Sequence, residues 1–260
     1  MTMPPPPPAG SLRARVLAGE TVIGTMIAAG SPTVAEVVAR AGFDWLIVDL
    51  EHGMGTEAEL LGQLHAIAGR TSAIVRPQSG ERLRIGRALD LGAEGVMVPR
   101  LDTVEAVEEA VSYLRFPPDG VRGVALGTRG AGLGAVPHTG VAALNAPILG
   151  VFQVESPEAV ANARAIAAID GVDVLFVGPS DLSHSMGIPG RFEDRPFLDA
   201  LRTVVAATDA TGKAAGILLR TAADVAVYRA LGFRFIGIGS DLNFLIDGAR
   251  GTVAAARAAI

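Results

Sequence analysis

The sequence contains no cysteine, which removes disulfides, thiolate metal sites and cysteine nucleophiles from consideration. Lysine is almost as scarce. Of 22 basic residues only Lys213 is a lysine, so a mechanism that needs a Schiff-base amine must use that one or none. No run of lysine and arginine occurs and the net charge is −5, so the basic stripe that nucleic-acid binding demands is missing. The longest uncharged stretch, residues 130–154, is broken by Gly132, Gly134, Pro137, Gly140, Pro147 and Gly150. It reads as a loop running into a buried strand rather than as a membrane span. The N-terminus offers Pro4 to Pro8 where a signal peptide places a basic and then an apolar segment, so it reads as an extended, disordered tail. No membrane contact and a cytoplasmic location follow as expectations.

What is present is a chain of 260 residues, half of them hydrophobic, the size of one α/β barrel. From about residue 20 short β-branched apolar runs alternate with longer amphipathic ones. The strand candidates are residues 21–27, 44–49, 73–76, 95–98, 148–154, 173–177, 214–218 and 235–238. The helical stretches between and after them are residues 33–40, 57–68, 82–90, 103–114, 157–168, 196–211, 221–231 and 242–259. Eight β-then-α units with strands apolar nearly throughout predict a single closed (β/α)8 barrel. An open doubly wound sheet is the alternative, because periodicity does not show closure. Residues 1–18 are assigned to the tail and lead-in, and residues 19–260 to one barrel domain.

Helix punctuation agrees. Ser31-Pro32, Ser156-Pro157 and Ser240-Asp241 offer capping side chains, with Asp241 read as a cap, and Gly42, Gly92, Gly212 and Gly232 fit left-handed C-termini. Residues 115–147 are too long for a plain connection and are expected to form a functional loop.

The polar residues gather at the C-terminal strand ends, where barrel enzymes build their sites. Glu155 and Asp181 end adjacent predicted strands, and two such carboxylates suit a hard cation such as Mg²⁺ or Mn²⁺. Spacing alone fits equally well a first-turn charge at Glu155 and a helix cap at Asp181. His52 lies three residues after Asp49, close enough for a carboxylate to orient an imidazole, which favours an acid/base role. Arg76, followed by Pro77, projects a planar fork that fits a carboxylate or an enolate oxygen. Its structural alternative is a salt bridge across the barrel top, with Asp90 as one partner. Asp90 also reads as a polar residue near a helix end. His65 and His138 read as ordinary satisfied histidines, and His184 is open between the two readings.

Several motifs in order resemble the HpcH/HpaI aldolase family, that is, the hydroxy-oxo-heptanedioate and 2-keto-3-deoxyglucarate aldolases. They are Gly42-Phe43-Asp44-Trp45, Asp49-Leu50-Glu51-His52-Gly53, Leu89-Asp90-Leu91-Gly92-Ala93 with Val98-Pro99, Phe116-Pro117-Pro118 with Arg122-Gly123, Gln153-Val154-Glu155-Ser156, and Val177-Gly178-Pro179-Ser180-Asp181-Leu182-Ser183. The resemblance runs from about residue 21 to 247.

It implies a class II pyruvate aldolase that exchanges 4-hydroxy-2-oxo acids with pyruvate and an aldehyde, with oxaloacetate decarboxylation as a side activity. It implies a divalent cation on Glu155 and Asp181, either Mg²⁺ or Mn²⁺, with Co²⁺ or Zn²⁺ as substitutes. His52 oriented by Asp49 is implied as acid/base, Arg76 as enolate stabiliser held by Asp90, Gln153 as a lining residue, and Gly178, Pro179 and Ser180 as a loop giving backbone donors to the pyruvate carboxylate. A homo-oligomer is implied, often a hexamer, with the C-terminal helix exchanged between subunits. One segment departs from the pattern: residues 127–134 are glycine-rich where the family is polar and aromatic, and this loop is expected to contact the aldehyde half. Two other functions compete. A citryl- or malyl-CoA lyase keeps the metal pair but needs a basic groove for CoA that the sequence lacks, and a non-catalytic barrel binds a keto acid without enolising it.

Overall fold

Buried on both faces, the eight apolar runs become parallel strands of one closed sheet. In a computed structural model, which describes residues 10–260, their ring order is the sequence order. The strands are β1 (Val22–Ile27), β2 (Trp45–Asp49), β3 (Ser72–Arg76), β4 (Gly95–Val98), β5 (Leu149–Val154), β6 (Val174–Val177), β7 (Ala214–Leu219) and β8 (Phe235–Ser240). The alternative of an open sheet is excluded by the pairing of β1 with β8. The proline run lies outside the described residues.

Helices α1 (Leu12–Leu17), α2 (Pro32–Ala39), α3 (Glu57–Ile67), α4 (Arg82–Asp90), α5 (Val104–Leu114), α6 (Pro157–Ala167), α7 (Pro179–Ser185), α8 (Arg195–Asp209), α9 (Val225–Leu231) and α10 (Asp241–Ala258) complete the chain. Side chains start several of them as the sequence indicated. Ser31, Ser156 and Ser240 each accept a backbone N–H of the first turn, and Thr56 with Glu59 forms a reciprocal capping box. Gly42, Gly92, Gly212 and Gly232 all have positive φ.

The barrel interior is packed, not hollow. The Trp45 and Phe235 rings stack 4.2 Å apart, and Phe176 meets Phe235 edge-on. Glycines in register on the neighbouring strands make room for them. A Cβ on Gly24 would lie 2.0 Å from the Trp45 indole, and one on Gly216 would lie 2.7 Å from the Phe176 ring. Below this layer α1, in a stretch to which the sequence reading gave no element, buries Leu12 and Val16 against the same cluster. Its Arg13 donates to the fully buried Asp173 at 2.9 Å. The N-terminal end of the barrel is thus plugged, and the C-terminal end is left open.

Two expectations fail on topology. Each helix runs back antiparallel to the strand before it, so a residue ending a helix lies at the opposite end of the barrel from one ending a strand. Asp90, last in α4, is therefore remote from Arg76, last in β3. Its partner is Arg122 at 2.9 Å, whose guanidinium also covers the Phe116 ring. For the same reason residues 115–147, which join α5 to β5, start from the closed end. They contain two short 3-10 turns, Arg129–Ala131 and His138–Asn145. Asn145 clamps the start of the segment, accepting from the Phe116 N–H at 2.7 Å and donating to the Phe116 carbonyl at 3.0 Å. Residues 127–134 pack on the end of α4, where Arg129 donates to the Leu91 carbonyl.

Candidate active site

A cavity of about 350 Å³ opens at the C-terminal end of the barrel, within the range of small-molecule sites. Asp49, His52 and Arg76 line it from the ends of β2 and β3, and Pro179, Ser180, Arg220, Asp224, Tyr228, Ser240 and Asn243 from beyond β6, β7 and β8.

A row of buried polar side chains joins β2, β3 and β5 at this mouth. Arg76 donates to both oxygens of Asp49, Nε to Oδ1 at 2.9 Å and Nη2 to Oδ2 at 2.7 Å. Its Nη1 donates to Gln153 Oε1 at 3.5 Å and lies 3.1 Å from Glu51 Oε2. Gln153 Nε2 in turn donates to Glu155 Oε1 at 2.6 Å. Strand register makes this row: Asp49 pairs with Arg76, and Gln153 is two residues before Glu155, on the same face of β5.

Electrostatics follow from the crowding of acids. Burial pushes the Glu155 carboxyl up to about 7, helped by the charges of Asp181 and Glu51, while Arg76 and Arg100 pull the other way. Burial also raises Glu51, against the pull of Arg76 and His52. Burial alone would weaken the Arg76 guanidinium as an acid-holding cation, but the hydrogen bond and charge of Asp49, with Glu51 and Glu155, hold its pKa above the ordinary value. A site with more acid than base invites a cation.

Glu155 thus feels the charge of Asp181, which is an exposed residue in the first turn of α7 and not a strand end. Among the described residues no three His, Cys, Asp or Glu side chains converge as metal ligands, so a cation held by Glu155 and Asp181 would need further oxygens from water or substrate. Gly178 keeps that position accessible, since a Cβ there would sit 2.5 Å from Glu155 Oε1. The donor set and the unmet charge fit a hard divalent ion.

Other assignments change. Asp49 does not touch the His52 imidazole; it accepts the backbone N–H groups of Glu51 and His52 at 3.0 and 3.3 Å and so shapes the turn that presents His52. The imidazole is largely exposed, and its nearest acid is Glu51, 3.8 Å from Nε2. The expected loop at Gly178, Pro179 and Ser180 is the start of α7, in which Pro179 has no N–H to offer. His184 proves to be a helix residue, its Nδ1 2.8 Å from the Ser180 carbonyl. Asp241 is not the cap of α10, which is Ser240, but its first residue: buried, it accepts the N–H groups of Ala28 and Ala29 at 2.9 and 3.0 Å and ties β1 to α10. Lys213 immediately precedes β7, at the plugged end. The sequence reading missed Glu51, whose signal was its place beside His52, and Arg220, just past β7.

The chain resembles known proteins over most of its length. The chain is 40% identical over 240 residues to the hydroxypyruvate/pyruvate aldolase of Delftia acidovorans, covering 92% of this chain and 89% of that one. It is 39% identical over 232 residues to the 5-keto-4-deoxy-D-glucarate aldolase of Klebsiella pneumoniae, covering 89% and 90%. A crystal structure of an HpcH/HpaI aldolase/citrate lyase family protein from Burkholderia cenocepacia superposes with a TM-score of 0.90 at 35% identity, over 95% of this chain and 98% of that one. Residues 23–248 match the family described as HpcH/HpaI aldolase/citrate lyase, and the chain belongs to that family.

Proposed function

We propose that this protein is a divalent-metal-dependent aldolase that makes and cleaves 4-hydroxy-2-oxo acids, with pyruvate as the nucleophilic half and an aldehyde as the other. The observation that carries this reading is the hydrogen-bonded row Asp49–Arg76–Gln153–Glu155, which links a fixed guanidinium of the cavity wall, through one glutamine, to the buried Glu155 carboxyl. The named aldolase relatives support the same reaction class.

Glu155 and Asp181 would hold the cation, with Mg²⁺ or Mn²⁺ the best match to two carboxylates. When bound, it supplies Lewis acidity at a keto oxygen, the role that an imine would otherwise fill. The protein's own groups do the rest. Of its five donors Arg76 gives two to Asp49 and one to Gln153, with Glu51 3.1 Å from the same Nη1, which leaves an Nη2 N–H of a rigid fork for an oxygen that gains negative charge. Ser180 and Asp181 carry first-turn N–H groups of α7 toward a carboxylate. His52 lines the cavity while open to solvent, so it can accept a proton from the pyruvate methyl group and pass it on. The methyl carbon then bonds to the aldehyde carbon, and the new alkoxide takes a proton back.

The same reading includes a homo-oligomer. Of α10 only Asp241 is buried, while Phe244, Leu245, Ile246 and Val253 are exposed. An apolar groove of about 350 Å³ between α2 and α10, lined by Val34, Val37, Phe43, Phe244 and Leu245, gives a second copy a surface to cover. Exchange of the pyruvate methyl protons into deuterated water, with and without added cation, tests the enzymatic reading; a protein that catalyses no exchange with any divalent cation is not an aldolase of this kind.

A further inference from the structure

A second cavity, of about 200 Å³, lies along α4 and is walled by Tyr113 of α5 and by Arg122 and Gly123 of the segment that follows. Arg82, Gly86, Arg87 and Asp90 line it from α4 at the spacing of one helical face. Three guanidinium groups, those of Arg82, Arg87 and Arg122, thus meet a single carboxylate, that of Asp90. Arg82 and Arg87 have no carboxylate within 4.0 Å and no side-chain hydrogen-bond partner among the described residues. Arg84, on another face of the same helix, is paired with Glu57.

Arg122 is the buried member of the three. Its Nη2 donates to Asp90 at 2.9 Å, its guanidinium covers the Phe116 ring, and its Nε is buried with no partner. Burial lowers its pKa, and the hydrogen bond and charge of Asp90 offset this only in part. A cation taken out of water needs opposite charge beside it, and here one half-buried carboxylate faces three cations. Tyr113 brings its ring and no spare proton, because its hydroxyl donates to Glu109 at 2.5 Å. A Cβ on Gly86 or on Gly123 would meet no atom within 4 Å, so both leave open space in the wall.

We propose that this cavity binds a small dianionic oxyanion, a phosphate or a short dicarboxylate, between Arg82, Arg87 and Arg122. A planar guanidinium takes two oxygens of such a group through parallel hydrogen bonds, and two negative charges match the excess of cations. The site shares no residue with the cavity at the barrel mouth, so it stands or falls apart from the aldolase reading. The bound anion would tie α4 to the segment between α5 and β5, and binding to the folded chain alone raises its stability.

Calorimetric titration and thermal unfolding of the full chain, with phosphate, succinate or acetate at matched ionic strength, test the proposal. Phosphate or succinate should bind and raise Tm, the tighter of the two identifying the class, and acetate should have little effect. Arg87→Gln should weaken that binding about tenfold or more, and Arg82→Gln combined with Arg87→Gln should remove the gain in Tm. With no anion added, the same variants should unfold at or above the wild-type Tm, because they relieve repulsion among like charges; an arginine that merely holds the fold would lower it. Equal binding by wild type and the double variant would place the anion elsewhere, and equal gains from acetate and the dianions would reduce the effect to screening. Either result, or no binding by either dianion, overturns the proposal.

Discussion

Arg76 and Asp49 meet through two parallel hydrogen bonds, at 2.9 and 2.7 Å, in a buried pair that joins the ends of β3 and β2. The pair has a structural and a chemical consequence. Asp49 also accepts two backbone N–H groups of the turn that carries His52, so the arginine, the turn and the histidine move together. Arg76→Lys should lower kcat/KM by about 10²-fold, because an ammonium cannot bond Asp49 at two points and still serve a developing oxyanion. Asp49→Ala should cost about 3–5 kcal/mol of stability by leaving a buried cation unpaired. Denaturant unfolding and steady-state kinetics read the two effects separately, and wild-type kinetics in Arg76→Lys would reduce the pair to a strut.

The acidic pair predicts a pH dependence in protein stripped of metal. Folded, the Glu155 carboxyl titrates at about 7 rather than at the ordinary 4.5. Between those values the folded chain holds a proton that the unfolded chain has released, so stability is full below about 4.5 and is lost as pH rises through 7. The loss is on the order of a few kcal/mol. Chelator-treated wild type should therefore unfold more easily above this window than below it, and Glu155→Gln should show a flatter profile. Added Mg²⁺ or Mn²⁺ should restore the stability of wild type on the alkaline side but not that of Asp181→Asn. Parallel profiles for wild type and Glu155→Gln would contradict the assignment.

The place of His52 at the cavity was legible in the sequence, and the contacts of Asp49 were not. Sequence proximity made Asp49 the natural partner, yet a side chain at a strand end can as readily cap the following turn, and here it does. Strand positions were read well for a plain reason: parallel barrel strands are buried on both faces, so their apolar runs stand out, and 95–98 coincides with β4 while the others differ by one or two residues at an end. What failed was pairing across the fold. Arg122 satisfies Asp90 because helix direction puts α4's last turn at the plugged end, a fact of three dimensions that no spacing reveals. The short α1 escaped notice because only Leu12 and Val16 of its residues are buried. Arg220 carried no local motif; only barrel closure sets it opposite Arg76.

His52→Ala should slow pyruvate methyl-proton exchange by roughly 10²–10⁴-fold, the size of a general acid–base contribution. Glu51→Gln should have a smaller effect through the 3.8 Å contact with the imidazole. NMR of pyruvate in deuterated water measures both without an acceptor, and undiminished exchange in His52→Ala assigns the proton transfer to another group.

Removing the chain from Leu242 onward should abolish the proposed self-association, since the exposed apolar side chains of α10 and one wall of the groove at α2 are lost together. Asp241 stays in this truncation and keeps its bonds to Ala28 and Ala29, which spares the end of β1. Light scattering should show a smaller particle; an unchanged mass places the interface elsewhere.

A cation, and not an amine, is proposed to activate the pyruvate carbonyl, and one trapping experiment tests this directly. Lys213 sits before β7 at the plugged end, separated from the mouth by the packed layer of Trp45, Phe176 and Phe235. Protein treated with pyruvate and borohydride should keep its mass, while a chelator abolishes methyl-proton exchange and Mg²⁺ or Mn²⁺ restores it. A pyruvyl adduct trapped on Lys213, with exchange that survives the chelator, would contradict the account.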